Sequence, residues 1–263
     1  MVFRRIRRPL LLAGLLSAAA TSAASGQVLH LNDHWDECAI VLDPALTQHA
    51  WHQFASEVGV VMYFRPLTSA RPLGRKNVEF AILNTGTRID DADAAWNDTF
   101  SHPDSMHWLF EGDALKIPGV SLRVGVTDRI DAGVYFTKNP NSNYGFMGGQ
   151  VQYALLTEAS APIAAAGRLN VVRLFGPDDL TATVYGADFL VSKDISFLSP
   201  YAGISGYLSR AHERTSKVDL NDESVFGVQG MLGLAARISV VSVGAELNLA
   251  RVTGYSIKIG IAP

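Results

Sequence analysis

From about residue 57 to the C-terminus, apolar residues alternate with small or polar ones in runs of about ten, separated by turn residues, and period-two alternation marks a half-buried strand. In the last run Tyr255, Ile257, Ile259 and Ile261 point one way, and Gly254, Ser256, Lys258 and Gly260 the other. The same split holds over 241–249, 225–237 and 118–127. Weaker alternation over 57–65, 78–88, 130–138, 146–157, 163–175, 181–192 and 199–209 brings the predicted strands to about eleven. Nothing after residue 57 reads as a long helix.

Strands of this length cross a hydrocarbon layer when tilted, so the pattern predicts an all-β chain: a single antiparallel transmembrane β-barrel. Single-chain bacterial barrels have even strand numbers. Ser105 through Glu111 supplies a twelfth strand, so twelve are preferred, with ten as the alternative. Arg123, Arg168, Asp188, Arg237, Glu246 and Lys258 sit on the polar face among glycine and serine, which makes them the candidate lumen-lining residues. Glu246 and Lys258 are expected about opposite each other across the last hairpin. A soluble periplasmic ligand-binding barrel is the inverse case, with an apolar interior and a polar exterior. Counting back from the C-terminus puts the turns at 128–129, 158–162, 193–198 and 238–240 on the periplasmic side. The loops 139–145, 176–180, 210–224 and 252–254 then face outward.

The chain before the barrel has two parts. Arg4, Arg5, Arg7 and Arg8, the apolar run Leu10 to Leu16, and the small residues from Ser17 to Gly26 follow the order of a secretory signal peptide, assigned to 1–26 with cleavage between Ala24 and Gln27. An N-terminal segment, 27–56, carries a predicted helix over 44–56, with Asp43 as its cap, Pro44 in its first turn, and Leu46, Ala50, Trp51 and Phe54 on one stripe. That stripe is expected to lie on the barrel as a periplasmic cap or plug. The barrel is assigned to 57–263, with an acidic and aromatic insertion at 89–117. Long segments of this kind are usually functional, so Trp96, His102, Asp104, His107 and Trp108 are the candidate recognition residues.

Composition sharpens the picture. The 263 residues are 48% hydrophobic and 18% charged, which excludes collagen-like, coiled-coil and disordered chains. The formal net charge of −3 falls to −7 once the leader's four arginines are removed, so no nucleic-acid partner is expected. Cys38 is the one cysteine, so stability rests on burial and hydrogen bonding rather than intrachain disulfides.

Candidate chemistry is thin. Asp104, Ser105 and His107 are neighbours, but adjacent residues on a strand point to opposite faces, and no Gly-x-Ser-x-Gly is present. No catalytic residue is assigned. His30, Asp33, His34 and Asp36 match no strong zinc spacing, and Asp90, Asp91 and Asp93 lack the glycine and distal glutamate of a calcium loop. No metal or other cofactor is expected.

Taken together, the leader, the alternating strands and the tight hairpin Gly125-Val126-Thr127-Asp128-Arg129-Ile130-Asp131 resemble Gram-negative outer-membrane β-barrel proteins, in particular small porin-like barrels. The chain departs from that pattern in its last residues, Ile261-Ala262-Pro263, where the resemblance implies an aromatic end. The resemblance implies an outer-membrane location after leader cleavage. It also implies outer-membrane lipid, periplasmic chaperones and the barrel-assembly machinery as partners. The implied role is structural, or passive passage of small solutes through a narrow charged lumen. The alternative from another class is a lipid- or glycan-modifying enzyme at the barrel rim.

Overall fold

The computed structural model describes residues 39–90, 92–101, 114–138 and 142–262. The predicted signal peptide, the candidate strand at 105–111 and the candidate residues His102, Asp104, His107 and Trp108 lie outside them, as do His30, Asp33, His34, Asp36 and Asp91.

A short strand β1 (Ala39–Ile40) leads to helix α1 (Gln48–Val61). Strand β2 (Val78–Arg88) follows, then one helical turn α2 (Ala94–Asn97) and strand β3 (Phe100–Ser101), which pairs with β1. Nine more strands complete the chain: β4 (Ala114–Gly125), β5 (Ile130–Lys138), β6 (Gly145–Leu156), β7 (Ala164–Phe175), β8 (Leu180–Ser192), β9 (Leu198–Glu213), β10 (Glu223–Ile238), β11 (Val241–Leu249) and β12 (Gly254–Ile261). β2 and β4–β12 pair antiparallel with their neighbours, and β12 returns to β2, closing a barrel of ten strands. Ten, rather than the preferred twelve, is therefore the strand number.

The surplus strand was 57–65. Residues 57–61 complete α1, and the chain beyond Met62 is extended and buried without joining the sheet, so the barrel begins at Val78 rather than at 57. Val58, Val60 and Val61 have the β-branched composition of a strand, but they sit at the end of a helix buried there on every side. The helix starts later than expected, with the Thr47 side chain as its cap. Asp43 instead closes a turn through Ala45 N–H. The stripe itself holds: Leu46, Ala50, Trp51 and Phe54 are all buried.

The two faces of the sheet are sorted as a membrane barrel requires. Phe80, Ile82, Val134, Leu169, Ile204, Phe226, Val228, Ile257 and Ile259 are exposed on the outside. Gln150, Gln152, Asn170, Ser205, Gln229, Glu246, Asn248 and Lys258 are buried inside. This polarity is the reverse of that of a soluble ligand-binding barrel.

Not every aromatic belongs to the outside. Tyr153, Tyr185 and Tyr255 are exposed there, whereas Tyr135, Tyr201 and Tyr207 are buried in the lumen. Tyr201 and Tyr207 lie across from Gly233 and Gly227 on β10, where an added Cβ would fall within 2.2 Å of a ring carbon, so glycine makes the bed for each ring.

After Val61 the chain runs down the barrel interior, leaves at the opposite end and turns into β2. The turn has Gly74 in the left-handed region (φ +89°), and a Cβ on Gly125 would come within 1.8 Å of the Gly74 carbonyl oxygen. Gly125→Val is therefore expected to lower the heat-unfolding midpoint, followed by gel migration of folded and boiled protein, at a cost of about 1–3 kcal/mol or more. Gly230→Ala, where an added Cβ meets nothing within 4 Å, is expected to leave that midpoint unchanged.

Candidate functional site

Among the described residues, most of the buried charged groups converge in the lumen, and residues 62–73 of the chain run through it. An extended segment without a strand partner still carries a carbonyl and, outside proline, an N–H at every residue, and each needs a hydrogen-bond partner when buried. The barrel wall supplies them from side chains. Arg168 Nη2 donates to the Thr68 carbonyl at 3.1 Å, and Ser192 Oγ accepts from Ala70 N–H at 3.2 Å. Gln152 Nε2 reaches the carbonyls of Ala70 and Arg71, both at 3.4 Å. Arg123 Nη2 donates to the Arg71 carbonyl at 3.1 Å, and Asp131 accepts from Leu73 N–H at 3.0 and 3.1 Å. This segment is called the strap below.

The strap answers with side chains of its own. Tyr63 donates its hydroxyl hydrogen bond to Asp188, whose other oxygen lies 3.5 Å from Arg168. Arg65 is buried, donates to the Val60 carbonyl at 2.6 Å and interacts electrostatically with Glu246. Leu67 is fully buried with a left-handed backbone (φ 51°), a costly conformation for a bulky residue. There its carbonyl comes so near β11 that a Cβ on Gly244 would lie 2.7 Å from it. At the strap's exit a cavity of about 200 Å³ remains between Leu67–Leu73 and wall residues that include Ser242, Lys258 and Arg237.

Five of the six residues predicted to line the lumen, Arg123, Arg168, Asp188, Glu246 and Lys258, are buried on the inner face. Arg237 sits at the end of β10, exposed, and donates to the Ala262 carbonyl at 2.7 Å. The expected Glu246–Lys258 pair does not form, because the hairpin register sets Glu246 opposite Ser256 and Lys258 opposite Gly244. Lys258 turns instead to Glu79 on β2, at 2.8 Å, and Glu246 accepts from Tyr201 at 2.8 Å and Asn248 at 2.9 Å. Glu79 also accepts from Ser242 at 2.6 Å, and Arg123 joins Asp131 at 2.5 Å.

Sequence reasoning missed Glu79, Asp131 and Arg65. The first two share inward parity with buried neighbours on β2 and β5, a signal present in those runs, whereas Arg65 was hidden inside the mistaken strand.

The helix closes one end, the end formed by the longer loops. Trp51 Nε1 donates to the Asn221 carbonyl at 3.1 Å, His52 Nδ1 lies 2.7 Å from Glu223, and Arg251 lies 3.5 Å from Glu57. Nearby, Leu42 N–H donates to Asp179 and Ile40 N–H to Asn143. Asn143, Asp179, Asn221 and Glu223 belong to the longer loops assigned outward, and Arg251 immediately precedes the last of those loops. Trp96 of the insertion is buried against Phe54 and Phe100 and donates Nε1 to Glu57 at 2.6 Å, so it anchors the insertion to α1.

No family model matches the chain, and no curated protein matches it. The solved structures it is similar to are Gram-negative outer-membrane β-barrel proteins. An outer membrane channel from Pseudomonas putida F1 is 9% identical, with 76% of this chain and 100% of that one covered at a TM-score of 0.46. The translocator domain of autotransporter NalP from Neisseria meningitidis is 12% identical over 79% and 91%, at 0.38. LpxR from Salmonella typhimurium is 12% identical over 70% and 99%, at 0.36.

Removing one partner of a buried pair leaves an uncompensated charge. Glu79→Gln is accordingly expected to cost about 3–5 kcal/mol in urea unfolding of the folded barrel, and Glu79→Gln/Lys258→Met to recover most of that loss.

Proposed function

We propose that the protein is an integral outer-membrane barrel of a Gram-negative bacterium, held shut by its own N-terminal strap and presenting α1 and the longer loops at the cell surface. The observation that carries this reading is the strap itself: its backbone from Thr68 to Leu73 is bonded to the wall of a barrel whose outer face is apolar. An apolar band facing outward has no favourable solvent other than lipid. The role is structural in this state, and passage of small solutes requires the strap to leave the lumen.

Planar-bilayer conductance of the refolded mature protein tests the reading. Wild type is expected to insert and stay silent, while Arg168→Ser/Gln152→Ala/Asp131→Ala, which strips the strap of wall partners, is expected to give discrete steps. Steady open steps from wild type would overturn it.

Orientation is tested separately, in a Cys38→Ser background in intact cells, with a thiol reagent that does not cross membranes. Ala45→Cys and Ser216→Cys are expected to react and Asp128→Cys to remain unlabelled. The opposite pattern would turn the barrel over.

A further inference from the structure

The charges on the outer face are all of one sign and all at one end. Among the described residues, the outward strand positions that carry a formal charge are Arg88, Lys116, Lys138, Arg173 and Arg210, on five different strands and each in the part of its strand nearest the longer loops. No aspartate or glutamate holds an outward position in the described strands. At the opposite end the outer face stays apolar through Val78, Ile163, Ile238 and Val241.

Arg173 and Arg210 stand closest to forming a site. They flank Thr183 across β7, β8 and β9, since Arg173 pairs in register with Thr183 and Thr183 with Arg210. Neither has a carboxylate partner among the described residues, and the Arg210 guanidinium lies over the exposed Tyr185 ring at 5.7 Å. Four residues further along, about 13 Å down the same strands, the outer face hollows. Ala187, Gly206 and Gly230 leave an open trough of about 570 Å³ between Phe189, Ile204, Val228 and Leu249. Two unpaired guanidinium groups above an apolar trough match a molecule with an anionic head and a hydrocarbon tail, because a guanidinium binds phosphate oxygens through paired N–H donors.

We propose that Arg173 and Arg210 hold the phosphate of a lipid headgroup in the leaflet next to the longer loops, with one acyl chain lying in the trough. The proposal rests on the membrane reading above and names the lipid that reading leaves open. Free phosphate would engage the arginines and leave the trough empty.

Native mass spectrometry of the full mature chain, released from micelles doped with phosphatidylglycerol or phosphatidylcholine, reads the site. Phosphatidylglycerol is expected to be retained over phosphatidylcholine. Arg173→Gln/Arg210→Gln is expected to weaken that retention about thirtyfold, taking each surface arginine as a typical charge near an anionic interface. Gly206→Leu, which fills the trough, is expected to weaken retention of phosphatidylglycerol while leaving any binding of inorganic phosphate unchanged. Equal retention of the two lipids, no effect of the arginine variant, competition by inorganic phosphate alone, or a second copy of the chain in place of lipid would each overturn the proposal. Insertion of wild type and variants into phosphatidylcholine vesicles is scored in parallel. Failure to insert would sink the membrane reading, whereas insertion without lipid preference would sink this inference alone.

Discussion

Hydrogen bonding of an unpaired backbone segment is the constraint on which the rest of this barrel depends. Residues 62–73 have neither a helix nor a strand to satisfy them, and they are buried as far as Ala70. A buried carbonyl or amide without a partner costs on the order of 1–3 kcal/mol, so a dozen of them would undo a protein of ordinary stability. Arg168, Gln152, Arg123, Asp131 and Ser192 are on the inner wall at the heights where the strap's polar groups fall. Arg168, Arg123 and Asp131 thus serve two demands together: each bonds the strap, and each faces an opposite charge on the wall. Of the nine charged side chains buried among the described residues, Glu57 is answered by Arg251 at the helix and the other eight divide evenly, with Arg65 of the strap completing the balance. Without the strap the wall would hold one acid too many.

The barrel was legible because its signal is repeated. Each strand from β4 to β12 sends alternate residues to lipid-like and water-like surroundings, and period two records that directly, as Ile257, Ile259 and Ile261 against Ser256, Lys258 and Gly260 illustrate. The strap was not legible, because a segment buried on all sides has no periodicity to betray it. Val58, Val60 and Val61, followed by Met62, Tyr63 and Phe64, read as a strand by composition and are in fact a helix end and a threaded chain. Charge partners were half legible. Parity alone sends Glu246 and Lys258 inward, but which acid meets which base depends on register and on the neighbour across the closure, and no local pattern carries either.

Tyrosine gives the same lesson in smaller form. Tyrosines near the strand ends of a membrane barrel ordinarily form an interfacial girdle, yet Tyr135, Tyr144, Tyr201 and Tyr207 are buried. For Tyr201 and Tyr207 the deciding feature is a glycine on the adjacent strand, Gly233 and Gly227, that leaves room for a ring to lie flat. Such a pairing joins residues about twenty to thirty positions apart and becomes visible only when the strands are set side by side.

The Glu79–Lys258 pair spans the seam where the first barrel strand meets the last, and its two residues are 179 positions apart in the chain. Until the seam forms, Lys258 faces a half-built interior with only Gly244 opposite it on its own hairpin, while Glu79 has Arg123 beside it on β4 at 3.8 Å. A sheet that stops short of closure leaves Lys258 without its carboxylate, while completion brings the two to 2.8 Å in one step. The ion pair therefore works as a latch on assembly, making an open sheet and a sealed cylinder the two favoured states and leaving intermediates between them poorly populated.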